Sequence, residues 1–528
     1  MEPLLTLCLA LALPTPVGDL DTSLDGAPPA IESTTSSKRL WAWNNGTSGV
    51  GLALAEHGTQ AFVWGGPMQL FSTFDPQPPS PVWSTDFYVW NGTRGATETD
   101  AVVGSTLEIV GVFDAEAFLT LHTSASTEPL WTYSYGVWSF PVPYYDISRD
   151  GQTLVSLFES GFTPDRDVRI HDLATGVPTT TWTLPVTTYT QRFDLSPDGT
   201  VAAYSHHDGT GVTELLDLAT GTVLFTTPGS LPPDQGISNG GEVVITKERI
   251  TDVGWVVKVQ SFATGVWRDV VRVESGLTDY PQEMAVSDDG TVAVATWWND
   301  AEPWKVTVRA YDAVTGDLLM ERTPGEPGGE YDNYTSDIAI SADGNRFAVG
   351  TWGTGVPGPS ELVVYTPWTN DVVATFPLSG TVFDTILSAD GRFLLVNRIQ
   401  THATQGHQFK FAEMYEIGGA DLTAVGVPAL GETVRLDVYG EEGSPAILLA
   451  ALDLAPAPIP VGVGGQLVLD PNTLIILGLG PVGAIGWASL DLEVPELASL
   501  VGLSIYAQGA TTGPKALGDT WLKLTVLP

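Results

Sequence analysis

Short apolar runs closed by Ser-x-(Asp/Gly)-Gly recur six times along this chain. They are YYDISRDG (144–151), RFDLSPDG (192–199), DQGISNGG (234–241), EMAVSDDG (283–290), DIAISADG (337–344) and DTILSADG (384–391). Their last glycines lie 42 to 54 residues apart, and two fainter copies, ending at Gly58 and Gly104, carry the period backwards. A second mark follows within the units: HDLATG ends at Gly176, LDLATG at Gly221, SFATG at Gly265 and YDAVTG at Gly316. YTPWTN puts Asn370 where the others have glycine. A tight turn that needs φ > 0 explains both, because Gly supplies that conformation freely and Asn is the next most tolerant residue. Between the turns the chain is rich in β-branched and aromatic residues, as in TLVSLF, VTVRAYDA and ELVVYTP. Each unit therefore reads strand, Asp-Gly turn, strand, variable loop, strand, Thr-Gly turn, strand.

Four antiparallel strands repeated at this spacing predict the blades of a β-propeller. Through the S-P-D-G and D-x-x-T-G marks the units resemble the WD40-like and YVTN/quinoprotein-like propellers of secreted bacterial proteins, over roughly residues 38–420. Eight marks give eight blades, or seven if the first units are one blade plus a closing strand. RLWAWN (39–44) or ADLTAV (420–425) would supply that outermost closing strand. After Gly426 the marks stop, and six or more short apolar runs separated by Pro and Gly predict a small β-sandwich. The succession GQLVLDP, LEVP and LVGLSIYAQ there resembles a C-terminal module appended to secreted proteins of environmental bacteria. The chain is thus all-β, divided as 1–20 signal peptide, 21–37 linker, 38–424 propeller and 425–528 sandwich.

Leu4 to Leu13 is an apolar run of signal-peptide length, broken by Pro14, Pro16 and Gly18, which predicts a secreted, periplasmic or envelope-associated protein. Cys8, the one cysteine, lies inside it, leaving no disulfide framework or Cys-based metal site beyond. The run 472–490 is apolar but interrupted by Gly and Pro, so no transmembrane helix is expected. With 22 Lys+Arg against 62 Asp+Glu the net charge is −40, which repels phosphate backbones and makes nucleic acid an unsuitable partner.

No P-loop, H-E-x-x-H or other catalytic motif is present, and no cofactor or metal is expected. The repeat instead says where binding would sit. Seven or eight residues past each Asp-Gly glycine the second strand ends on the loop-bearing face, and there the units stop agreeing. The occupants include Glu159, His206 and His207, Arg249, Trp297 and Trp298, Trp352 and Arg398, with Trp304 in the loop beyond Trp298. Such a varied rim on a uniform scaffold predicts a binding surface, and its indoles would suit sugar rings or other flat ligands. Adjacent His206 and His207 point to opposite faces of a strand and would not share a metal. The expectation is a monomeric binding scaffold for a ligand, glycan or protein. The alternative is a propeller enzyme, a quinone-cofactor dehydrogenase or a polysaccharide hydrolase or lyase. Only Trp182 and Trp267 closely follow Thr-Gly turns, which counts against the quinoprotein form.

Overall fold

The computed structural model describes residues between 38 and 526. Its longer continuous stretches are 166–184, 190–206, 211–232, 235–263, 265–276, 278–300, 302–324, 334–351, 362–376, 381–401, 408–417, 466–481 and 487–500, with shorter ones between. The segment assigned to a signal peptide and linker lies outside the described residues. The chain is all-β: antiparallel sheets of two to four strands, with no α-helix among the described residues. Two compact units divide at residues 418 and 419.

The N-terminal unit holds eight sheets in chain order. The first runs from Gly51–Leu54 to Trp83–Tyr88, the second from Asn91–Gly92 to Trp131–Trp138 and the third from Tyr144–Ile147 to Pro178–Leu184. The fourth runs from Thr190–Leu195 to Val223–Pro228, and the fifth has three strands, Val243–Ile250 to Val266–Ser275. The sixth spans Asp279–Val286 to Leu318–Arg322 and the seventh Thr335–Ile340 to Asp371–Phe376. In the eighth, Thr381–Leu387, Phe393–Thr401 and Gln408–Glu416 are joined on their outer side by Lys38–Asn44 from the start of the chain. RLWAWN thus takes the outermost position, while Leu422–Val425 pairs with Thr433–Tyr439 in the other unit. The two units meet between residues 418 and 419.

Consecutive sheets bury their faces on one another. Val155, Leu157 and Val168 of the third share a core with Phe193, Leu195 and Tyr204 of the fourth. Val294 and Val308 of the sixth meet Phe347 and Val363 of the seventh. Leu52, Val63 and Phe71 of the first pack with Phe393, Leu395 and Met414 of the eighth. Because both faces are covered, second strands are almost wholly buried, as in Val292–Asn299. Fourth strands alternate instead, as in Pro178–Leu184. Each fully buried Val, Leu or Phe contributes about 1.5–3 kcal/mol, so stability is concentrated between neighbouring sheets.

The repeated turn owes its sequence to side-chain chemistry. In all six copies the serine Oγ accepts the backbone N–H five residues on, at 2.9–3.0 Å. Its hydroxyl donates to the following Asp Oδ1 at 2.6–2.7 Å in Ser196–Asp198, Ser287–Asp289 and Ser341–Asp343. The glycine that closes the turn has φ of 64–70° in every copy. Asn370 stands at φ 59°, doing at the second turn what Gly176, Gly221, Gly265 and Gly316 do elsewhere. Those second turns are capped by the preceding sheet: Trp131 donates its indole N–H to Leu173 O at 2.7 Å and Trp182 to Leu218 O at 3.2 Å.

Two expectations are corrected. Gly104 is not a turn glycine: it lies within Ala101–Ile109, paired with Thr120. In the fifth unit no first strand forms among the described residues before the turn, where Ser230 bridges Lys247 and Ile237 bridges Val244. Pro232 lacks an N–H donor and Gln235 takes φ 52°, both of which interrupt a ladder there.

In the C-terminal unit one sheet orders Leu422–Val425, Thr433–Tyr439 and Trp487–Glu493. Another orders Ile475–Pro481, Pro445–Ala451, Ser504–Thr511 and Leu517–Thr525, and a two-stranded sheet pairs Leu454–Pro460 with Gln466–Leu469. Leu436 and Val438 of the first share a core with Leu448 and Ala507 of the second.

Candidate functional site

The ends of the second strands place the expected rim residues in quite different surroundings. Trp298 is partly exposed, with its ring centroid 4.8 Å from that of Tyr334 and 5.5 Å from that of Tyr280. Tyr280 pairs with Trp298 across the sixth sheet, and Tyr334 immediately precedes the first strand of the seventh. Beside this cluster Asn299 Nδ2 donates to Asp279 Oδ1 at 2.5 Å, and Asn299 Oδ1 accepts the Glu302 N–H at 3.0 Å. Three half-buried aromatic rings bordered by an amide and a carboxylate can hold an apolar face and the polar groups at its edge.

Trp297, its neighbour in sequence, points the other way. It is 4 % exposed and packs with Val257, Val259 and Tyr311 between the fifth and sixth sheets. The Arg309 guanidinium lies 4.9 Å over its ring, and its indole N–H has no partner among the described residues. Burial removes Trp297 from any exposed stacking platform. Arg398 is likewise withdrawn: it donates Nε and Nη2 to the two oxygens of Glu413, at 2.8 and 3.0 Å, and the Tyr415 hydroxyl joins Glu413 at 2.8 Å. With Glu413 fully buried, this group is a structural ion pair inside the eighth sheet.

His206 lies with its Nε2 3.8 Å from Glu214 Oε2, and the Tyr204 hydroxyl donates to the same oxygen at 2.6 Å. Burial, then Glu214, pushes the Tyr204 phenol far up, so it remains a donor. Arg249 is exposed, with its guanidinium 6.0 Å over Trp255. Glu159 and Trp304 belong to strands Leu154–Glu159 and Glu302–Asp312, but their side chains, like all of His207 and Trp352, lie outside the described residues.

Sequence reading missed one pair with the geometry of a nucleophile and its base. Ser156 Oγ is 2.7 Å from His171 Nε2, and His171 Nδ1 is 2.8 Å from Gly176 O, so Nδ1 carries the proton and Nε2 accepts the serine hydroxyl. Ser156 is 0 % and His171 3 % exposed, however, and no substrate reaches them. The pair ties the second turn of the third sheet to its second strand, and burial holds the imidazole below its ordinary pKa.

Sequence also missed the polar links between sheets. Acids on the first strand of one sheet accept backbone N–H groups from the next unit. Asp194 Oδ2 accepts Gly236 N–H at 2.6 Å, and Asp337 Oδ2 accepts Thr385 N–H at 2.6 Å. Arg149, in the first turn of the third sheet, donates Nη2 to Asp288 Oδ1 of the sixth at 3.0 Å. Gln235 clasps both backbone groups of Ile340 in the seventh, at 3.1 and 3.2 Å. Among the described residues no three His, Cys, Asp or Glu side chains gather as a metal site. Comparison with known proteins finds no matching family model and no matching curated relative.

Proposed function

We propose that the N-terminal unit is an eight-bladed β-propeller that binds a glycan beside Trp298, and that the C-terminal unit is a β-sandwich appended to it. The propeller reading is supported by eight sheets packed in series. The first strand of the eighth contacts that of the first, and a strand from the start of the chain completes the eighth sheet. Links such as Arg149–Asp288, between units three apart, are what a circular arrangement would bring about. The sandwich reading is supported by the core shared between the two larger C-terminal sheets.

The observation that carries the binding reading is the trio Tyr280, Trp298 and Tyr334, contributed by two adjacent sheets and bordered by Asn299 and Asp279. Sugar rings offer C–H faces to aromatic rings and hydroxyls to such neighbours. The protein acts outside the cytoplasm on this reading, Leu4 to Leu13 serving as its export signal. A glycan screen followed by titration calorimetry tests it. Trp298→Ala should weaken any glycan hit by roughly 5- to 12-fold, the loss of one stacking partner worth about 1–1.5 kcal/mol. Unchanged affinity for every hit would remove the site from this cluster.

A further inference from the structure

Aromatic surface on this rim does not end with the Trp298 cluster. Trp255 stands at the start of the middle strand of the fifth sheet, Gly254–Ala263, and is partly exposed. By alternation it shares the face of Val257 and Val259, which pack against the sixth sheet, and lies two residues beyond Val257 toward the loops. Its backbone is closely fixed. Gly254 takes φ 105°, and a Cβ there would lie 2.5 Å from Ser275 O and 2.7 Å from Gly276 O, so the hairpin tip rests on the segment that leaves the fifth sheet for the sixth. The buried Ser275 Oγ lies 3.0 Å from Trp255 O and 2.9 Å from Asp279 O, tying the two carbonyls to one hydroxyl. Asp279 is the residue whose carboxylate holds Asn299 beside Trp298. Arg249, directly opposite Trp255 in the fifth sheet, carries an exposed guanidinium over the ring.

Two aromatic surfaces thus flank the rim of the sixth sheet. Trp255 lies on its fifth-sheet side, and Tyr280, Trp298 and Tyr334 meet on its seventh-sheet side. The Asp279–Asn299 pair links them, joined to Trp255 through Ser275 and adjoining Tyr280 and Trp298 in sequence. A monosaccharide, no larger than one aromatic ring, stacks on one of these surfaces. A chain that crosses the polar pair reaches both, its hydroxyls meeting the amide, the carboxylate and the N–H donors of Arg249.

We propose that Trp255 and Arg249 form a second subsite of the glycan site, whose ligand is an extended oligo- or polysaccharide chain lying across the fifth, sixth and seventh sheets rather than a free monosaccharide. The assignment rests on the glycan reading of the Trp298 cluster and names its substrate class.

The test is calorimetric titration of the full chain with cello-oligosaccharides of two to six units. Affinity should rise by roughly 5- to 12-fold from the short members to the long ones and then level off, the gain that one further stacking ring provides. Trp255→Ala should abolish that gain and leave cellobiose binding as in the wild type, whereas Trp298→Ala should weaken every member. Arg249→Ala, at an exposed position, should reduce the gain by about 2-fold or more, as for a lost hydrogen bond, and remains informative if Trp255→Ala folds poorly. Equal affinity along the series, or a gain that survives both substitutions, overturns the second subsite and leaves the glycan reading standing. Failure of the whole series, with another glycan still bound at Trp298, also overturns the second subsite alone. Failure of every glycan removes both.

Discussion

Replacing Arg149 by Met removes one end of an ion pair between the third and sixth sheets, and its cost can be worked from the geometry. Arg149 Nη2 donates to Asp288 Oδ1 at 3.0 Å and Nε engages the other oxygen, a two-pronged contact. The Asp288 side chain is 8 % exposed and that of Arg149 23 %. Breaking a buried pair from one side costs about 3–5 kcal/mol, since the remaining charge is left uncompensated. The partial exposure of Arg149 places this case near the lower end, about 3 kcal/mol. Asp288→Asn should cost less, about 1–2 kcal/mol, because the guanidinium it leaves behind can reach water. The double variant should be well short of the sum, with a coupling of about 1.5 kcal/mol or more.

Urea unfolding of the four proteins at pH 7.5 measures this cycle, and pH supplies an independent check. Burial raises the Asp288 carboxyl and Arg149 lowers it, with Asp198 adding a further upward push. The folded-state value already stands above the unfolded one, and without Arg149 it rises further, so more stability is lost as pH climbs from the unfolded value toward it. The Arg149→Met defect should therefore be smaller at pH 5 than at pH 7.5. A coupling below about 0.5 kcal/mol, typical of independent sites, would refute the reasoning. The Arg149–Asp288 contact would then not couple the third and sixth sheets energetically.

Burial also pushes the Asp289 carboxyl up from 3.8 to about 7, against hydrogen bonds from Ser287 and Thr291. A folded-state pKa above the unfolded one means stability is lost as pH rises from about 4 to 7. Asp289→Asn should flatten the pH dependence of the urea midpoint across that window, and an unaltered slope would count against it. Gly221→Ala and Gly265→Ala should both incur about 1–2 kcal/mol for a non-glycine residue at positive φ. Gly221→Ala should cost about 1–3 kcal/mol more, because its Cβ would stand 2.3 Å from the Trp182 ring, whereas at Gly265 nothing lies within 4 Å. Equal shifts in melting temperature would remove the docking role of Trp182.

The turns were legible because positive φ leaves so few residues to choose from. Glycines at 151, 199, 290, 344 and 391, and the lone Asn370, mark turns in sequence and in structure alike. Gly104 shows the limit of counting by period. A glycine two or three residues along a strand satisfies the same spacing, and only pairing with Thr120 reveals that no turn is there. The fifth unit shows a second limit. Its Ser-x-Gly-Gly turn is intact, with Ser238 Oγ accepting Val243 N–H at 2.9 Å, yet the described residues before it make only isolated bridges. A turn motif specifies its own hydrogen bonds, and the ladder beside it depends on residues such as Pro232 that lie outside the motif.

The binding residues were harder to read because chain position locates the end of a strand without locating the side chain. Trp297 and Trp298 are equally far from Gly290 to within one residue, but alternation sends one into the core with Val257 and the other toward Tyr334. The burial of its surroundings settles which is which, and in sequence those surroundings belong to other units. Tyr280 was open to inference, since antiparallel pairing about the Ser287–Gly290 turn brings it opposite Trp298. The register shift between Pro281 and Met284 hides that by displacing the count. Repetition in sequence thus identifies the scaffold by what the units share. A site drawn from two of them is written in what each does not share, and it becomes readable only when the sheets are set side by side.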